Sequence, residues 1–202
     1  YLLVGQKSGD VYALDPDKDG AVLWRNKVGR GGFLGGVHWG MSADTESLFV
    51  PIADTTITGR FTGEVSPGIH ALDPTSGDRK WYTPSIADCE GKSPAPICDQ
   101  GMSAAITSTD GLVFAGSLDG NLNVYDSVSG EIIWSFDTFG DFESVSGDMA
   151  LGGSIESDGP VLYEGHVLVN SGYQFGARMP GNALMVFALS PSATLAKGQH
   201  DE

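Results

Sequence analysis

The sequence predicts an all-β fold assembled from repeated four-stranded antiparallel units, and three observations carry that prediction. A strand–turn–strand motif closing on a tryptophan occurs at Gly9–Trp24, Gly68–Trp81 and Gly120–Trp134. Its turn aspartates, Asp15, Asp73 and Asp126, are 58 and 53 residues apart. A degenerate fourth copy, Asn182–Pro191, has lost its tryptophan and places Ser190 64 residues beyond Asp126. Second, no segment sustains a 3.6-residue hydrophobic period, so almost no helix is expected. Third, 29 glycines in 202 residues cluster between short apolar runs, as in a chain with many turns. A period near 50 residues with about four strands is the mark of a propeller blade. One such sheet cannot bury both of its faces, whereas radial stacking covers them and leaves only short edges.

Taken in order, Tyr1–Gln6 reads as a strand that turns through Lys7-Ser8-Gly9-Asp10 into Val11–Leu14. Asp15–Gly20 is a turn and Ala21–Lys27 the next strand. The glycine-rich stretch Gly29–Gly36 lacks a following GK[ST] or helix pattern, so it is a backbone-crossing loop and not a phosphate cradle. The second unit reads as strands Val37–Ala43, Ser47–Ala53, Gly68–Leu72 and Asp78–Thr83, with Thr55–Pro67 as a polar insertion. Ile86–Gln100 is a long loop holding both cysteines. The third unit is Met102–Thr107, Leu112–Ser117, Leu122–Tyr125 and Glu131–Phe136. Thr138–Gly152 reads as a second long, acidic loop, and the last unit as Gly153–Glu156, His166–Ser171 and Leu184–Leu189. The blade repeats are therefore about 1–28, 37–84, 101–137 and 152–190, with 191–202 as a frayed polar tail.

A formal charge of −15 excludes nucleic acid, whose affinity comes from Lys and Arg neutralising phosphates, and disfavours an anionic membrane surface. No run approaches the length of a membrane span, and no signal peptide is visible. The chain opens in strand-like YLLVGQ without a methionine, from which a longer natural N-terminus is expected. Cys89 and Cys98 are either unrelated thiols or a local disulfide. Loop-like flanks and the lack of a second zinc-ligand pair favour the disulfide, and with it an oxidising, periplasmic or secreted location.

The motif A-L-D-P-x-S-G-x-x-x-W of Ala71–Trp81 resembles the tryptophan-docking motif of quinoprotein β-propellers. That resemblance makes Trp24, Trp81 and Trp134 blade-to-blade joints; each turn Asp caps through its side chain and each Gly takes a positive φ. The stretches VGQKSGDVYALD, GGVHWG, GGSIES and NSGYQFGARMPGNALMVF resemble polyvinyl-alcohol-dehydrogenase-like proteins over nearly the whole chain. These are pyrroloquinoline-quinone (PQQ) propellers of eight blades. Eight blades of about 50 residues need roughly 400 residues, so the chain corresponds to about four blades, a C-terminal half. Such a half exposes two blade faces and is expected to meet a missing half-propeller or a second copy of itself.

The resemblance implies PQQ and Ca²⁺ as cofactors and a small-molecule or polymeric alcohol as substrate. PQQ needs aromatic stacking and cationic or amide donors, near the start of the inner strands. Trp39, the one tryptophan outside the docking motif, is a stacking candidate or simply core. His38 is a candidate proton acceptor, or a merely hydrogen-bonded strand histidine. Asp148 is a candidate base or calcium ligand, or a solvated loop carboxylate. Gly153 and Ser154 open an inner strand, and Ser154 is a donor to a cofactor carboxylate; Arg178 pairs with such a carboxylate or with solvent. The family's pattern has Glu where His38 stands, Asn where Ser146 stands and a basic residue where Leu151 stands. No C-x-x-C-H is present, so an electron acceptor such as a cytochrome c must be separate, and the acidic charge suits a basic one. Two functions follow: PQQ-dependent alcohol oxidation, or a non-catalytic propeller of the same fold that binds a protein or ligand.

Overall fold

The computed structural model describes residues 1–55, 61–94, 97–173 and 176–189. The first sheet holds β1 (Leu2–Gly5), β2 (Asp10–Asp15) and β3 (Ala21–Lys27). The second holds β4 (Ser42–Ala43), β5 (Leu48–Ile52), β6 (Gly68–Leu72) and β7 (Arg79–Pro84). The third holds β8 (Thr107–Thr109), β9 (Leu112–Gly116), β10 (Asn121–Asp126) and β11 (Ile132–Asp137). A hairpin of β12 (Gly140–Glu143) and β13 (Met149–Gly152) precedes the last sheet: β14 (Val161–Tyr163), β15 (His166–Ser171) and β16 (Ala183–Ala188). Every pair is antiparallel between sequence neighbours, so each sheet is a meander, as a propeller blade is. The tail 191–202 and the turn residue Ser190 lie outside the described residues.

The sheets stack face to face, and the core is three apolar layers between them. Val11, Val37, Leu48, Val50, Ile52 and Leu72 fill the first layer with Trp24 against them. Phe49, Ile69, Met102, Val113 and Tyr125 fill the second with Trp81. Ala104, Leu122, Ile155 and Val169 fill the third. The strand β5 reads as an unbroken apolar run, LFVPI, because both of its faces are covered and all five residues are buried. The end faces are uncovered. On the first sheet Leu2 and Val22 are 56% and 58% exposed, and on the last Leu184 and Val186 are 61% and 56% exposed.

The docking motif does what its spacing predicts. Trp24 Nε1 donates to Pro74 O, and Trp81 Nε1 to Ser127 O, each at 3.1 Å, so each tryptophan reaches the turn of the following sheet. Those turns need glycine: a Cβ on Gly77 or Gly130 would lie 2.6 Å from a tryptophan ring atom, and both sit at positive φ, +78° and +75°. A bulge falls at the same place in all three copies, at Ala13/Leu14, Ala71/Leu72 and Val124/Tyr125, just before the turn aspartate. Asp73 and Asp126 cap their turns. The Thr75 hydroxyl and turn amides hold the Asp73 carboxyl below its ordinary range, and the Ser129 amide and hydroxyl do the same for Asp126. Trp134 differs. It packs edge-on to Phe187 and stacks on Phe136.

Four expectations need correction, three of them in inner segments. Val37–Ala43 pairs only at Ser42–Ala43; in Met102–Thr107 only Thr107 enters a strand; and Gly153–Glu156 is no strand, its sheet beginning instead at Val161. The cause is where these backbones spend their amides. Val37 N donates to Gln6 O (3.1 Å), Met102 N to Ile52 O (3.2 Å) and Ile155 N to Ser117 O (3.1 Å), which ties each segment to the preceding sheet instead of its own ladder. The acidic loop Thr138–Gly152 is in fact the β12–β13 hairpin, turned at Ser144–Gly147.

Candidate functional site

The three irregular segments bring one polar row together. Their common tether makes Val37, Met102 and Ile155 equivalent, so the residues that follow, His38, Ser103 and Glu156, occupy one register position in three successive sheets. His38 Nδ1 lies 2.7 Å from Ser103 Oγ, and Ser103 Oγ donates to Glu156 Oε1 at 3.2 Å. Ser103 and Glu156 are buried, at 1% and 2% exposure, and His38 is half-buried. Burial, reinforced by the positive charges of Lys7 and Arg178, pulls the His38 pKa down to about 4, so its imidazole is neutral at pH 7. Of this row only His38 was singled out from sequence. Ser103 and Glu156 are 53 residues apart and share no residue type with it; their signal is the glycine-then-apolar pair preceding each, Gly36-Val37 and Gly101-Met102, kept as Gly153-Ser154-Ile155 in the last copy.

Trp39 sits beside the row, with ring centroid 4.9 Å from that of His38 and 48% exposed. It lines two cavities. One, of about 380 Å³, runs along Val37–Ala43 to Leu3 and Gly5. The other, of about 540 Å³, reaches Ala105, Ser157, Asp158 and Asn170. Arg178 is buried at 2% exposure, on the loop between β15 and β16.

The other sequence candidates lie apart from this row. Ser154 is fully buried; its hydroxyl donates to Leu118 O at 2.6 Å and accepts from Met179 N at 3.1 Å. It is a clamp between sheets. Gly153 allows close backbone approach: a Cβ there would lie 2.3 Å from Met179 O. Asp148 stands exposed at the end of the β12–β13 turn, accepting from Ser146 Oγ at 3.1 Å. Ser146 and Leu151, two of the three positions that depart from the family's pattern, are on that same hairpin. Among the described residues no three His, Cys, Asp or Glu side chains gather in one place.

Two further features lie outside the row. Asp54, buried and not singled out from sequence, accepts from the amides of Arg30, Gly31, Gly36 and Ser66 at 2.7–3.1 Å and so gathers the glycine-rich loop ahead of His38. Cys89 and Cys98 form a disulfide. Their loop is anchored to the β9–β10 turn: Asp88 N donates to Asp119 Oδ2 at 2.9 Å, and Lys92 Nζ to Asp119 O at 2.8 Å.

Comparison with known proteins agrees with this architecture. The PQQ_2 family model, described as outer membrane protein assembly factor BamB, matches residues 65–184, more than half of the chain. A polyvinylalcohol dehydrogenase of a Pseudomonas species is 39% identical over 175 residues, covering 86% of this chain and 26% of the relative. One from Sphingopyxis sp. (strain 113P3) is 36% identical over 199 residues, covering 94% of this chain and 30% of the relative. The chain thus spans between a quarter and a third of the length of these curated relatives. The crystal structure of BamB from Moraxella catarrhalis superposes with a TM-score of 0.55 at 16% identity, over 84% of this chain and 39% of that one, which shows a shared fold. Tryptophan docks, meander blades and a family match over the greater part of the sequence agree: the chain belongs to the PQQ-type β-propeller family.

Proposed function

We propose that this chain is part of a PQQ-dependent alcohol dehydrogenase, and that the His38–Ser103–Glu156 row with Trp39 is this chain's share of the active site. The single observation carrying the proposal is that row: a neutral imidazole tied to a buried carboxylate beside an exposed tryptophan and two cations. The donor set fits a flat, anionic quinone. Trp39 is 48% exposed and lines two cavities, and Lys7 and Arg178 place positive potential near His38 for carboxylates. When bound, PQQ supplies an ortho-quinone that accepts hydride from the alcohol carbon. In this chain His38 takes the hydroxyl proton, and burial of Ser103 and Glu156 keeps water from competing for their hydrogen bonds. No three His, Cys, Asp or Glu side chains gather among the described residues, and no step is assigned to a metal here.

The substrate follows the named relatives: a small-molecule or polymeric alcohol. The formal charge of −15 suits a basic cytochrome c as electron acceptor, and the disulfide suits a periplasmic or secreted location. The test adds PQQ and Ca²⁺ to the full-length protein and follows quinone absorbance and dye-linked alcohol oxidation. Binding at micromolar PQQ with turnover is expected, and no binding at that concentration overturns the proposal. A second reading, a non-catalytic binding scaffold, is favoured by one observation. Asp148, Ser146 and Leu151 lie on an exposed hairpin and bring no carboxylate to the row.

A further inference from the structure

We propose that Glu156, acting through Ser103, is the positioning residue that holds the His38 imidazole as its Nδ1–H tautomer and makes Nε2 the proton-accepting atom. The idea rests on His38 being the base of the site described above. A serine hydroxyl carries one proton, and an ionised carboxylate can only accept. With Ser103 Oγ between His38 Nδ1 at 2.7 Å and Glu156 Oε1 at 3.2 Å, the serine proton belongs to Glu156. The 2.7 Å contact then needs a proton from the imidazole side, so Nδ1 carries it. Ser103 and Glu156 are buried, so water is not at hand to substitute for either partner.

The three residues are held by the tethers of Val37, Met102 and Ile155 to the preceding sheet, which fix their mutual spacing without loop freedom. When Nε2 takes the alcohol proton, the O–H bond breaks, an N–H bond forms and the ring becomes an imidazolium. Its Nδ1–H continues to donate to Ser103, and the Glu156 carboxylate at the end of the row stabilises the new charge. Lys7 and Arg178 oppose that charge.

The chain contains its own reference. His70 Nε2 lies 2.9 Å from the backbone oxygen of Ser66, an acceptor only, so His70 is the Nε2–H tautomer. Long-range ¹H–¹⁵N spectra of histidine-labelled protein, without cofactor, separate protonated from unprotonated ring nitrogens. His38 is expected as Nδ1–H and His70 as Nε2–H in one spectrum. Ser103→Ala removes the acceptor, and Glu156→Leu returns the serine proton to Nδ1; either variant is expected to lose the His38 Nδ1–H signal. An unchanged His70 signal verifies that the variant is folded. An Nε2–H His38 in the unsubstituted protein, or an Nδ1–H signal persisting in either folded variant, overturns the inference. Because the tautomer is read without PQQ, absence of quinone binding overturns the functional proposal alone.

Discussion

Gly77 and Gly130 are positions where a single carbon decides the packing, and Gly20 supplies the control. All three end the same turn at positive φ, but a Cβ on Gly20 meets nothing within 4 Å, while one on Gly77 strikes the Trp24 ring at 2.6 Å. Gly20→Ala carries only the left-handed strain, about 1–2 kcal/mol. Gly77→Ala adds about 1–3 kcal/mol of overpacking. Urea midpoints are expected to fall further for Gly77→Ala; equal losses would remove the tryptophan from the explanation. His38 and His70 both have folded pKa values lowered from 6.5 to about 4, chiefly by burial. The unfolded chain therefore binds more protons between those values. Stability is whole above 6.5 and is lost as pH falls toward 4. His70→Asn is expected to flatten that acid limb in a pH series of urea melts, and an unchanged slope would contradict the assignment. On the proposed function, His38→Gln in the full-length protein is expected to lower alcohol oxidation by about 10²–10⁴-fold while quinone binding persists, as loss of a general base would.

The tryptophan dock is the unit that joins one element to the next, and its geometry ranks the three copies. Trp81 donates to Ser127 O and packs on the second core layer, so Trp81→Ala is expected to cost about 3–5 kcal/mol in chemical denaturation. Trp134 is 40% exposed and leans on Phe187, so its truncation is expected to cost less. The Cys89–Cys98 loop is a second joint, tied to the β9–β10 turn by Asp88 and Lys92. Opening it by Cys98→Ser is expected to cost about 2–3 kcal/mol while leaving the His38 tautomer untouched. These joints were legible in the sequence because they are local. An Asp, a Gly and a Trp within one turn carry their own geometry. The β12–β13 hairpin was not, because its turn, Ser144–Gly147 with Asp148 after it, reads as a polar loop and only its pairing register reveals strands. The inner segments misled for the opposite reason: Val37–Ala43 and Met102–Thr107 look like strands but give their leading amides to a neighbour.

At the scale of the molecule, the fold could be read from repeat spacing, while the polar row could not. His38, Ser103 and Glu156 become neighbours only when three sheets are aligned in register, and no residue type repeats among them. The uncovered faces of the first and last sheets, with Leu2, Val22, Leu184 and Val186 exposed, predict self-association or low solubility for this chain alone. Light scattering is expected to give more than the monomer mass, and a clean monomer with a cooperative melt would count against an incomplete ring. The three apolar layers carry one more consequence. Each sheet leans only on its neighbours, so an open stack frays from both ends while its centre is held twice over. Amide hydrogens in β5, β6 and β9 should therefore exchange with deuterium last, and those of β1–β3 and β14–β16 first. Exchange protection along the chain then becomes a map of distance from the nearest open end.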